Sequence, residues 1–247
     1  MPAVFPNIST GDVCLYPVTQ TLAMPTRVIR FLDDTEQRWR SADPLNSWVL
    51  TYNRILWADI VTLQNFFNTV KGAFDSTWTF PFLGTNYTSM CFDQDDFSAV
   101  ESDPGRYTVS LKLRQTAKSG SYSIGGTVTW PVFPGTSVTF TQLPFTSKPA
   151  FLTTRNDLPT GARYAWAERS SMLGAWVCDY SVITISELGT LLNAFIALAG
   201  KYNSFSFTDP NDNSVHAHCR LDTDTFQAKY LGAGQCAVTV PIQEFAG

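Results

Sequence analysis

Residues 47–52 read SWVLTY and residues 175–180 read AWVCDY. Trp48 and Trp176, Val49 and Val177, and Tyr52 and Tyr180 all match at one spacing of 128 positions, about half of the 247-residue chain. In the first segment Trp48, Leu50 and Tyr52 alternate with small or polar residues, the two-residue period of a strand that buries one face. One strand written twice predicts an internal repeat, and a repeat must hold elsewhere at a similar spacing.

Working outward from these strands, the spacing holds. VFP at 4–6 recurs at 132–134, Cys91 falls on Cys219, and Asp59, Ile60, Leu63, Asn65, Phe67 and Gly72 fall on Glu187, Leu188, Leu191, Asn193, Phe195 and Gly200. With small slippage YPVT (16–19) meets LPFT (143–146), Arg38–Trp39 meets Arg163–Tyr164, WTF (78–80) meets FSF (205–207) and VSL (109–111) meets VTV (238–240). The order is kept throughout. The sequence therefore predicts two tandem copies of one domain, 1–116 and 128–247, joined by a Ser/Gly-rich linker or hairpin at 117–127. The competing reading is a single β domain with recurring Trp-rich strands.

Within the first copy, TRVIRFL (26–32), SWVLTYNRI (47–55), STWTFPF (76–82), TSMCF (88–92) and RYTVSLKL (106–113) read as strands. From Asp59 to Val70 the period changes to that of an amphipathic helix, with Ile60, Leu63, Phe66, Phe67 and Val70 on one face and Gly72 as the stop. The second copy repeats the helix from Ser186, read as its N-cap, to Gly200. Strands follow at 204–209, 214–221, 226–231 and 236–242. The predicted class is mainly β with α: two small β-sandwiches or barrels, each with one flanking helix.

Composition narrows the function. Hydrophobic residues at 44% and charged residues at 15% supply a core and exclude a disordered chain. The net charge of −4 with scattered basic residues argues against a grip on nucleic acid. Five cysteines without a CxxC pair read as reduced thiols of a cytoplasmic protein. The N-terminus MPAVFPNIST lacks the basic and apolar regions of a secretion signal, and no apolar run is long enough for a membrane span.

Sites of chemistry are few. In HAHC (216–219), His216 and His218 stand two apart, which on a regular strand puts both on one face where a metal could sit. The first copy has Thr88 and Met90 at those places, so an ordinary pair of strand histidines is favoured over a metal site. DQDD (93–96) lacks the glycine and glutamate of a calcium loop. No GxSxG, HExxH or GxxxxGK(S/T) motif is present, so neither catalysis nor a cofactor is expected.

RFLDDTEQRW (30–39), followed by W-x-L-x-Y, a helix ending FFNTVKG, an aromatic strand and a Cys-bearing strand, resembles the distal tail and tail-tip (minor tail) proteins of long-tailed bacteriophages, of the lambda minor tail protein M type. Leu32, Asp34 and Thr35 depart from the small residues of that family's first motif, and PTGARYAW (159–166) departs further, whereas SFSFTDP (204–210) is close to its post-helix strand. The resemblance implies two tail-tube-like modules and a structural protein of the virion, assembled in the host cytoplasm. Such a protein forms a ring, either a trimer with pseudo-six-fold symmetry or a hexamer. The ring contacts the tail tube and the tail hub, and the tape measure protein and DNA pass through it without specific binding. Trp48, Trp176, Tyr52 and Tyr180 are candidates for core or inter-module packing, and Asp33, Asp34, Asp93, Asp95 and Asp96 for a lumen that repels phosphate. The alternative is a sugar-binding β-sandwich that recognises a host receptor.

Overall fold

The structure, a computed structural model, describes residues 2–30, 36–40, 43–117, 130, 146–147, 153–157, 163–167, 173–210 and 212–245. Its elements are β1 (Val18–Ala23), β2 (Thr26–Arg30), β3 (Glu36–Arg40), β4 (Leu45–Ile55), α1 (Trp57–Thr69), β5 (Trp78–Phe82), β6 (Thr85–Phe92), β7 (Ala99–Asp103) and β8 (Arg106–Gln115). There follow β9 (Thr146–Ser147), β10 (Thr153–Asp157), β11 (Arg163–Ala167), β12 (Ala175–Thr184), α2 (Ile185–Leu198), β13 (Phe205–Thr208), β14 (Val215–Leu221), β15 (Thr225–Gly232) and β16 (Gln235–Glu244). The protein is mainly β; among the described residues the strands pair antiparallel and two helices lie against the sheet. Twelve strands form one sheet, while β2–β3 and β10–β11 are separate hairpins. The sheet is open, so the barrel alternative is corrected to an open sheet. The linker at 117–127 falls almost wholly outside the described residues.

The alternation that reads as a strand in SWVLTY does what it predicts. Trp48, Leu50 and Tyr52 of β4 are buried, opposite Leu113, Leu111 and Val109 of β8. In β12, Trp176, Cys178 and Tyr180 are buried opposite Ile242, Val240 and Val238 of β16. Both ladders then break at a bulge, after Tyr52 and after Tyr180, and resume at Ile55 opposite Tyr107 and at Ile183 opposite Cys236. A bulge bends its strand, and here it precedes the turn into each helix. The remaining pairings follow one scheme as well: β6 and β7 both pair with β8, and β14 and β15 both pair with β16.

Register corrects two residue matches. Met90 lies opposite Gln115 and Cys219 opposite Glu244, so Cys219 occupies the place of Met90, and Cys91 that of Arg220. Likewise His216, paired with Phe207, stands where Tyr87 pairs with Phe80, so the expected match of His216 to Thr88 is one residue off. The cause is loop length: four residues lie between the paired Pro81 and Asn86, and six between Thr208 and Val215.

Each helix opens on a carboxylate that reaches back to the chain. Asp59 accepts the Leu56 N–H at 3.3 Å and the Ser9 N–H at 2.7 Å. In α2 the N-cap is Thr184, not Ser186. Its hydroxyl accepts the Glu187 N–H at 3.2 Å and the Glu187 carboxylate accepts the Thr184 N–H at 2.8 Å, a reciprocal capping box. Because β12 runs directly into α2, the cap is the strand's last residue and Ser186 lies inside the first turn. The helices end in left-handed backbone, Lys71 and Gly72 at φ 56° and 60°, and Ala199 and Gly200 at φ 53° and 63°.

Aromatic rings fill the space beneath the helices. Phe5 contacts Phe66, Trp78 and Phe80 at centroid distances of 5.3, 5.8 and 5.5 Å, and its N–H donates to Thr79 O at 2.9 Å. In the other half Trp130 takes this place, 5.5 Å from Phe205 with its N–H toward Ser206 O at 3.4 Å. The VFP at 132–134, expected as the counterpart of Phe5, lies outside the described residues.

Candidate functional site

The halves meet along β1. Its residues pair with β4 on one side, Val18 opposite Leu50 and Gln20 opposite Trp48, and with β15 on the other, Val18 opposite Tyr230 and Gln20 opposite Ala228. Val18, Leu22, Phe226 and Ala228 are buried there, beneath Leu188 and Leu192 of α2. Phe82 meets Tyr230 edge-on at 5.0 Å.

A polar thread crosses this apolar seam. The Tyr230 hydroxyl donates to Gln20 Oε1 at 2.8 Å, Gln20 Nε2 to Asn46 Oδ1 at 2.9 Å, Asn46 Nδ2 to Gln115 Oε1 at 2.9 Å, and Gln115 Nε2 to Thr88 O at 3.4 Å. Gln20, Asn46 and Gln115 are all buried. A buried amide that lost its partner would be costly, so the chain of bonds fixes one register for β15, β1, β4 and β8. Burial also pushes the Tyr230 phenol's pKa up and holds it protonated.

At the corresponding place in the second half, Glu244 replaces Gln115. It accepts the Gly174 N–H at 2.8 Å and contacts His216 Nδ1 at 2.9 Å, while His216 Nε2 lies 2.9 Å from Ser214 Oγ. Ser214, His216 and Glu244 thus share the connectivity of a nucleophile, base and orienting acid, an arrangement with no local signature in the sequence. Two features oppose catalysis. Ser214 Oγ also lies 2.6 Å from Asp212 Oδ1, and only its own proton can fill that contact, so the hydroxyl is turned away from the histidine. The turn's N–H groups are spent internally, Asn213 on Asp209 O and Ser214 on Asp212 Oδ1, leaving neither for an oxyanion.

The histidine pair is not brought together. Between the pairs Phe205–Cys219 and Phe207–His216, β14 bulges, so His216 shares its face with Cys219, and His218 is displaced to the other. His216 packs on Trp176 at 4.7 Å and His218 on Phe245 at 5.8 Å. Among the described residues no group of three or more His, Cys, Asp or Glu could hold a metal ion.

The other candidates separate clearly. Trp48, Trp176, Tyr52 and Tyr180 are core residues. Trp48 meets Phe80 and Tyr87 at 5.4 and 4.6 Å, and Trp176 meets Phe207 and His216 at 5.0 and 4.7 Å, the same triangle in each half. The Trp176 indole donates to Asp209 at 2.7 Å, and the Tyr180 hydroxyl accepts from Trp130 at 3.1 Å. Asp33 and Asp34 lie outside the described residues. Asp93, Asp95 and Asp96 are exposed in the loop between β6 and β7, with Asp93 paired to Arg114 at 3.0 Å. The exposed sheet face itself carries Ser110, Lys112, Arg114, Gln227, Lys229, Thr239 and Gln243, neutral and basic side chains in place of the expected carboxylates. No described helix is long and apolar enough to cross a membrane.

Comparison with protein-family models and with curated proteins returned no match.

Proposed function

We infer that the chain is two copies of one tail-tube-like module and acts as a structural ring component of a bacteriophage tail tip. The observation that carries this reading is the junction of β1 with β15. The two halves are paired alike, and they join by one edge of the first and a different edge of the second. Such a head-to-tail contact is the type that builds rings when it is repeated between chains. Three chains would supply six modules around a tube, and six chains a two-layered or outward-facing arrangement.

Trp48 and Trp176 are buried and offer no ring face to a saccharide, so the sugar-binding alternative would have to use the exposed Trp39 and Trp57. Sedimentation of the full chain at high concentration tests the reading. A species of three or six chains is expected, and a protein that stays monomeric and fails to join tail assemblies would overturn it.

A further inference from the structure

We propose that one chain joins the next through β7 of the first and β9 of the second, in the register that β15 and β1 use inside the chain. The inference rests on the two-module reading above and adds to it the edges and residues of the contact.

The main run of the sheet is β9, β12, β16, β15, β1, β4, β8, β7. Its middle contact is β15 with β1. By strand pairing, β7 is the counterpart of β15, since Ala99 faces Val109 as Ala228 faces Val238, and β9 is the counterpart of β1, since Ser147 faces Trp176 as Gln20 faces Trp48. The ends of the run are therefore the two strands whose counterparts pair at its centre. Among the described residues each end strand pairs on one side only.

Burial points the same way. Ala228 is 3% exposed and Tyr230 6% with β1 alongside, whereas their counterparts Ala99 and Glu101 are half-buried and exposed. An unpaired strand edge offers a ladder of N–H and C=O groups to another chain. The Glu101 carboxylate does not block that ladder, because it is held back on the Gly105 N–H at 2.9 Å. The occupant is a second copy because β9 supplies the complementary edge in the register already used once. Transferring the pairs Gln20–Ala228 and Thr19–Lys229 places Ser147 opposite Ala99 and Thr146 opposite Val100 of the neighbouring chain.

Paired cysteine substitutions in the full chain test this register, since a disulfide needs Cβ atoms close together. The native thiols are all buried and stay silent. Under mild oxidation, A99C with S147C, or V100C with T146C, is expected to convert the protein to a covalent ladder of chains on a non-reducing gel. The shifted pair A99C with T146C, one residue out of register, is expected not to. T19C with K229C closes within one chain and calibrates the reaction, and near-ultraviolet circular dichroism confirms that each variant is folded. Oligomers that form without cross-linking in register overturn the β7–β9 contact and leave the ring reading standing. A protein that forms no oligomer overturns both.

Discussion

At the level of single residues, the buried indoles are the most consequential side chains. Trp48→Ala removes a fully buried ring from between Phe80 and Tyr87, and a loss of about 3–5 kcal/mol is expected from urea unfolding. Gly174→Ala is informative in a different way. A Cβ there would lie 2.0 Å from the Trp176 ring, so the substitution should cost about 1–3 kcal/mol. A near-wild-type midpoint would show that the Trp176 ring is not seated there. The thiols give a pH prediction. Burial pushes Cys14 and Cys236 up to about 11, and Cys178 and Cys219 up to about 12. Unfolded thiols ionise near about 8.5. The folded state holds these protons longer, so stability is unaffected below that pH and falls as pH rises toward 11–12, which denaturant titrations between pH 8 and 11 can measure. Trp48, Trp176, Tyr52 and Tyr180 were legible as core positions because aromatic residues at even spacing on a strand leave few other readings. The Ser214–His216–Glu244 chain was not legible, since Glu244 reaches it only through the pairing of β14 with β16.

At the level of strands and helices, the Tyr230–Gln20–Asn46–Gln115 thread and the helix caps decide register and direction. Gln20→Ala strands the Tyr230 hydroxyl and the Asn46 carbonyl in an apolar seam. It should destabilise by about 1–3 kcal/mol, more than Tyr230→Phe, which removes only one end. Equal effects from the two changes would show that the thread is not cooperative. Thr184→Ala, which removes the N-cap hydroxyl, is expected to cost about 1 kcal/mol by thermal unfolding, while Ser186→Ala should be nearly neutral. The sequence made both helices and the long strands readable, because their apolar periods are strong. Strand β1 was hidden, since its buried centre is the amide Gln20 rather than an apolar residue. Strand β7 was hidden by the charges Glu101 and Asp103. The slip at Cys219 had a third cause, a loop two residues longer in one half than in the other, which no constant spacing can follow.

At the level of the whole molecule, the two halves share one pairing scheme and one continuous sheet. The strand order could not be read from the sequence, because β1 pairs across more than 200 residues to β15 and nothing local encodes that contact. Among the described residues the two ends of the sheet differ, with β9 at one and β7 at the other, and the proposed ring contact uses that difference. Electron microscopy of the assembled full-length protein, with the repeats around the ring counted, tests the account most directly. Closed rings with a central channel and six similar lobes, supplied by three chains of two lobes each or by six chains, are the predicted result. Isolated particles the size of one chain, with no ring at any concentration, would contradict it.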